Sequence, residues 1–160
     1  MSKLGITNFP VLKSADSYPI WPNNVAGSIS HSHDLAVAVI SNKYNLIGVD
    51  IEYKNKERSP QIFERICTKN EQTWAKNNPR ERGLQIFSIK EAIYKAFYLE
   101  AKLTFMDVEL NWNGDNFSCT LLKDINQNYK KGFVFKAHQS EYNNYILSIV
   151  SVAFLKKTVR

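Results

Sequence analysis

Three patterns point to an α+β chain: alternating, β-rich segments between residues 35 and 53, helical periodicity through residues 60–99, and renewed alternation after residue 104. Strands, then helices, then strands is the order of an α+β fold rather than of a regular βαβ sheet. At 160 residues the chain is one domain's worth of sequence, long enough to bury a core without covalent staples. Hydrophobic residues at 44% and charged residues at 22% exclude disordered and collagen-like chains.

Pro10, Pro19 and Pro22 break helices, and Trp21-Pro22-Asn23-Asn24 is a turn signal, so residues 1–26 are expected to be irregular. Leu35–Ser41 and Leu46–Tyr53 read as two strands forming a hairpin across the four residues Asn42-Lys43-Tyr44-Asn45. In the second of these, Ile47, Val49 and Ile51 share one face and Gly48, Asp50 and Glu52 the other. Residues 54–59 are a polar linker. A short helix is expected over Pro60–Ile66. A second over Thr68–Asn77 opens on the capping-box pair Thr68 and Glu71. A third runs from Asn78-Pro79, an N-cap followed by proline at the first helical position, to about Leu99. Ile86, Ile89, Ile93 and Phe97 give it an apolar stripe. Val108–Trp112 and Phe117–Leu122 flank the turn Asn113-Gly114-Asp115-Asn116. Gly132–His138 and Tyr145–Phe154 complete the strands, and the basic end, residues 156–160, is expected to fray.

Twenty-one Lys and Arg against 15 Asp and Glu give a net charge of +6, which favours a polyanionic partner: nucleic acid, a phosphorylated cofactor, an acidic protein or an anionic membrane. Cys67 and Cys119 lack metal-site or CxxC spacing and read as buried free thiols. No signal-peptide pattern opens the chain, and the longest wholly apolar run, Leu35–Ile40, is far short of a transmembrane span. The expected location is the cytoplasm.

Asp50 and Glu52, at i and i+2 on a strand, point the same way with Cα atoms ~6.6 Å apart. Like charges that close raise one another's pKa unless a cation intervenes, and a hard divalent ion suits oxygen ligands. Gly48 on the same face leaves room for a ligand to approach. The plainer reading is a solvated edge. Glu91 and Lys95, four apart on the long helix, are either an exposed ion pair or contributors to the same metal and phosphate site, with Lys90 beside them. Gly27-Ser28-Ile29-Ser30-His31-Ser32-His33 is a hydroxyl and imidazole cluster. A Ser-His nucleophile is disfavoured because adjacent strand residues point oppositely; a phosphate cradle fits better, and a Ser-rich solvent loop is the plain alternative. Glu71 is most simply a cap, and Lys13 is an isolated loop lysine.

Taken in order, Trp21-Pro22, Gly27-Ser28-Ile29-Ser30-His31, Gly48-Val49-Asp50-Ile51-Glu52 and Phe87-Ser88-Ile89-Lys90-Glu91-Ala92-Ile93-Tyr94-Lys95-Ala96 resemble the 4′-phosphopantetheinyl transferases of the surfactin and enterobactin synthetase type, the enterobactin group above all. The resemblance covers residues 21–96. It implies two similar α+β lobes related by a pseudo-twofold axis, here residues 1–53 and 54–160, with the active site between them. Members begin a few dozen residues earlier with an arginine-bearing helix, so the first lobe is expected to be incomplete.

The reaction implied is that of a holo-[acyl-carrier-protein] synthase: Mg²⁺-dependent transfer of the phosphopantetheine arm of coenzyme A to a serine of an apo acyl or peptidyl carrier protein, releasing adenosine 3′,5′-bisphosphate. By position, Asp50, Glu52 and Glu91 match the Mg²⁺ ligands. Ser30 and His31 match the pair at the coenzyme's phosphates, with His31 at the 3′-phosphate. Lys90 and Lys95 match lysines near the pyrophosphate, Lys13 a coenzyme-contacting lysine, and Glu71 an outer glutamate. Glu91 through a water, or Lys95 in its neutral form, is expected to take the serine proton. An impaired relative that binds coenzyme A or carrier protein without transfer is the alternative. A nucleic-acid module, suggested by charge and 12% aromatic residues, lacks clustered lysines and a binding motif.

Overall fold

The computed structural model describes residues 4–56, 59–114 and 116–153. The chain is α+β, as its patterning indicates. Strands β1 (Ala26–Ser32), β2 (Leu35–Ser41) and β3 (Tyr44–Tyr53) come first. Helices α1 (Pro60–Ile66), α2 (Lys69–Ala75) and α3 (Pro79–Phe97) follow. Strands β4 (Val108–Trp112), β5 (Phe117–Leu121), β6 (Val134–Tyr142) and β7 (Tyr145–Ala153) close the chain. The basic end and Phe154 lie outside the described residues, as do the linker residues 57 and 58 and turn residue 115.

The expected hairpin between the first two patterned strands does not form. Residues 26–32, most of which read in the sequence as a polar cluster ahead of the first strand, are themselves a strand, and β2 pairs antiparallel with it, from Ala26 opposite Ser41 to Ser32 opposite Leu35. The turn is the two residues His33-Asp34, with His33 at φ 54°. The segment starting at Tyr44 instead enters the larger sheet, whose order is β3-β7-β6-β5-β4, every neighbour antiparallel. There β3 pairs along its length with β7, Asp50 opposite Ser148.

β3 is an edge strand of that sheet, and an edge exposes a row of N–H groups that must find acceptors. Serine side chains supply them. The backbone N–H groups of Val49, Ile51 and Tyr53 donate to the hydroxyls of Ser28, Ser30 and Ser32 at 3.1, 3.3 and 3.1 Å. The sequence separation is 21 at every step, so β1 runs parallel to β3 and closes its edge with side chains rather than backbone. All three serines are buried.

The other half of the packing is α3 on the large sheet. Ile86, Ile89, Ile93 and Phe97 are fully buried, and each such side chain contributes roughly 1.5–3 kcal/mol over remaining exposed. Phe97 meets Tyr129 edge-on at 5.3 Å and Phe135 at 5.4 Å. The helix crosses β3 at Gly48. A Cβ there would lie 1.9 Å from the Ala92 carbonyl oxygen and 2.8 Å from the Ala96 nitrogen. The room this glycine was expected to leave for a ligand is filled by helix backbone. The Gly48-Asp50-Glu52 face is therefore turned inward under α3.

Local signals hold at the helix starts. Thr68 and Glu71 form the capping box of α2, and the Asn78 side chain accepts from Glu81 N with Pro79 following. α3 ends at Phe97, two residues short of the expectation. β6 runs on to Tyr142 where it was expected to stop at His138, because Lys136, His138 and Ser140 face solvent and an alternating strand can continue half-solvated. Its link to β7 is Asn143-Asn144, Asn143 at φ 49°.

Both cysteines are free and buried. Burial pushes the Cys67 thiol from 9.0 up to about 11, and pushes Cys119 higher still. Below its unfolded pKa the protonated Cys67 thiol contributes its full share of stability, which is lost as pH rises from 9.0 through about 11. Iodoacetamide at about pH 8 should label neither thiol in the native protein and both after denaturation; rapid native labelling would contradict the burial. Gly48→Ala should cost about 3 kcal/mol or more in urea unfolding, because the obstructing atom is backbone and cannot step aside.

Candidate active site

At the junction of β1, β3 and α3 three side chains close a ring. Ser30 Oγ donates to Asp50 Oδ1 at 2.9 Å, and Lys95 Nζ donates to the same oxygen at 2.8 Å and to Ser30 Oγ at 2.8 Å. Strand alternation turns Ser30 inward while His31, its neighbour, is exposed. Asp50 sits one pleat beyond the Gly48 crossing, which brings the last turns of α3 over it. Lys95 reaches back from that helix with a side chain 26% exposed, against 4% for Asp50. The second carboxylate oxygen, Asp50 Oδ2, is buried and receives no hydrogen bond. A buried carboxylate oxygen without a donor is costly, and it is the natural place for a cation.

Glu52 follows on the same inward face, nearly buried and engaged in contacts of its own, and Glu91, half-buried on α3, is likewise engaged. The three carboxylates expected to meet at one ion are not gathered into a cage. Among the described residues no three His, Cys, Asp or Glu side chains lie close enough together to hold a metal. What converges in this arrangement is Ser30, Asp50 and Lys95. A hard cation such as Mg²⁺ needs only one or two carboxylates, with water and phosphate oxygens filling the rest. Asp50 and Glu52 fit that demand, and the bare Oδ2 is the observation that supports it.

Lys90, expected at the phosphates, is elsewhere. It is 2% exposed and donates all three ammonium protons inward: to Glu71 Oε2 at 2.8 Å, Ile66 O at 2.7 Å and Phe105 O at 2.7 Å. Burial pushes its pKa down, and Glu71 pulls it partly back. Glu71 itself accepts from Thr68 N at 2.6 Å and from Leu110 N at 2.8 Å, so it ties α2, α3 and β4 together rather than merely capping a helix. Lys13 is exposed, at an isolated bridge with Pro19.

Beside the ring opens a cleft of about 830 Å³ between residues 14–27, the start of β3 and the end of α3. Lys95 lines it, with Trp21, Tyr18, Tyr94, Tyr98 and Lys102. The Trp21 ring lies against Gly27, where a Cβ would be 2.5 Å from the indole, and its Nε1 is buried without an acceptor. Tyr18 stacks on Tyr98 with centroids 4.1 Å apart and shares a 3.0 Å hydroxyl contact with Tyr94. That hydrogen bond, with burial second, lifts the Tyr18 pKa to about 12. These tyrosines were not anticipated. Tyr94 and Tyr98 are four apart on one helix face, a usable signal, but nothing in the aperiodic segment around Tyr18 announces its partner.

A buried carboxylate with a bare oxygen, a partly exposed ammonium and an open cleft beside them suit an anionic ligand carried with a divalent cation. Residues 46–150 match the model for the 4′-phosphopantetheinyl transferase superfamily, and residues 1–41 match that for a 4′-phosphopantetheinyl transferase N-terminal domain. The chain belongs to the 4′-phosphopantetheinyl transferase superfamily. Curated relatives in this superfamily include the enterobactin synthase component D of Escherichia coli O157:H7, 33% identical over 100 residues, which is 59% of this chain and 48% of that protein. The enterobactin synthase component D of Salmonella typhi is 38% identical over 85 residues, 49% of this chain and 35% of that protein. The 4′-phosphopantetheinyl transferase Npt of Nocardia iowensis is 26% identical over 101 residues, 61% and 46% of the two chains. The chain thus spans about half the length of the curated relatives it matches.

Replacing Lys90 separates its structural role from a phosphate-binding one. Lys90→Met leaves Glu71 as an uncompensated buried charge, which typically costs about 3–5 kcal/mol. Urea unfolding should show a loss of that order. A variant of unchanged stability would place Lys90 outside the core after all.

Proposed function

We propose that this protein transfers the 4′-phosphopantetheine arm of coenzyme A to a serine hydroxyl of an apo acyl or peptidyl carrier protein, releasing adenosine 3′,5′-bisphosphate. Membership of the superfamily supports the reaction class, and the observation that carries the reading to this chain is Asp50: buried, held by Ser30 and Lys95 through one oxygen, bare at the other. Asp50 and Glu52, joined by Glu91 when substrate is present, would hold Mg²⁺, which supplies neutralisation of the diphosphate and of the leaving bisphosphate.

This chain's own groups do the rest. Lys95, at the mouth of the cleft, pairs with phosphate oxygens. His31, exposed on the outer face of β1, meets the 3′-phosphate, while Ser30 orients Asp50 from within. Glu91 through a water, or Lys95 in its neutral form, takes the proton from the attacking serine. The net charge of +6 steers an acidic carrier-protein helix toward the site. Two free buried thiols suit work in the reducing cytoplasm. No described helix is long and apolar enough to cross a membrane.

Incubated with coenzyme A, Mg²⁺ and apo carrier proteins of acyl and peptidyl type, the protein should add the mass of the phosphopantetheine arm to one of them. Asp50→Asn should slow that gain at least about a hundredfold. Folded protein that binds coenzyme A tightly by calorimetry yet modifies no carrier would replace this reading with that of a binding protein.

A further inference from the structure

Lys95 does more at Asp50 than wait beside it. We propose that its ammonium is a resident stand-in for the divalent cation: it neutralises Asp50 in the resting protein and is expelled into the cleft when a metal ion takes the carboxylate. The inference rests on the metal-site reading above and concerns the order in which that site assembles.

Four observations carry it. The ammonium bonds one oxygen of a carboxylate that is otherwise buried, so the charge of Asp50 is already compensated before any metal arrives. Ser30 donates independently to that same oxygen at 2.9 Å, so the carboxylate keeps its orientation after the lysine leaves. Oδ2 is buried and lacks a donor, so an incoming cation meets an oxygen that Lys95 does not bond. Finally, Lys95 has somewhere to go: its side chain is 26% exposed and lines the open cleft. Lys90 makes the contrast, since its side chain is only 1% exposed and its ammonium is held by three inward acceptors.

A divalent ion and an ammonium on one carboxylate repel, so each weakens the other's hold on Asp50 even though they approach different oxygens. Metal affinity is then reduced by the share of molecules in which Lys95 still holds Asp50. The expelled ammonium is delivered, on its flexible four-carbon stem, into the cleft where an anion can bind it. Metal and anion therefore favour each other's binding, and Asp50 is never left as a bare buried charge.

Mn²⁺ serves as the probe, titrated into the full-length protein without coenzyme A and followed by the resonance of free Mn²⁺. Lys95→Met should bind Mn²⁺ about tenfold more tightly than the parent, because the competitor is gone. Lys95→Arg, whose planar fork holds a carboxylate more firmly, should bind it more weakly than the parent. In the unaltered protein the Lys95 side-chain carbon resonance should sharpen when Mg²⁺ is added, a readout that does not depend on any variant folding. Equal or weaker Mn²⁺ binding by Lys95→Met, or a Lys95 resonance indifferent to Mg²⁺, overturns the proposal while leaving the metal site intact. Failure of parent and variants alike to retain Mn²⁺, even with excess coenzyme A, removes the metal-site reading and this inference together.

Discussion

A carboxylate carried into a protein interior must be met by donors or a cation, and Asp50 is met by both from separate parts of the chain. Ser30 comes from β1 and Lys95 from the last turns of α3, while Asp50 lies between them on β3. Each element reaches this point for its own reason. β1 is held there because its serines close the edge of β3, and α3 because Gly48 lets its backbone come into contact with the strand. The ring therefore depends on two packing decisions made by residues that take no part in chemistry. A side chain at position 48, or the loss of a hydroxyl at 28 or 32, would act on the site by moving its scaffold.

A second buried ion pair, Glu71 with Lys90, does the opposite kind of work. Both side chains are buried, and their backbone partners tie α2, α3 and β4 together. The two lysines of α3 are thus divided between structure and function. They are five residues apart, which turns them about 140° from each other on a helix, so one looks into the core and the other toward the β1–β3 junction. Superposed on a family motif they look alike; on this helix they share no surroundings.

Several missed features were written in the sequence. Lys90 falls on the same stripe as Ile86, Ile93 and Phe97, at the four- and three-residue steps that mark a buried face. Its place in the core could have been read from that spacing. Ser28, Ser30 and Ser32 alternate, which is a strand pattern with one polar inner face, but polar residues at every second position suggest a solvated surface until the N–H groups they answer are known. The tyrosine cluster around Tyr18 is different. It joins the N-terminal segment to the end of α3 across 76 residues, and no local pattern reports such a contact.

Local chemistry in the chain alone determined the helices and their caps, the apolar stripe of α3, most of the late strands, and the residue types at the site, because propensity, capping and periodicity act over a few residues. The partners of those elements were decided only in three dimensions. β2 joins β1 rather than β3 because both loops were short enough to close a hairpin, and the choice fell to which edge could be satisfied and buried. Likewise, Glu91 and the strand carboxylates share a motif without forming one cage, and Ser30 holds an aspartate instead of standing open. Those outcomes depend on which groups the folded chain leaves bare after its own donors are spent, a quantity that exists only once the whole chain has packed.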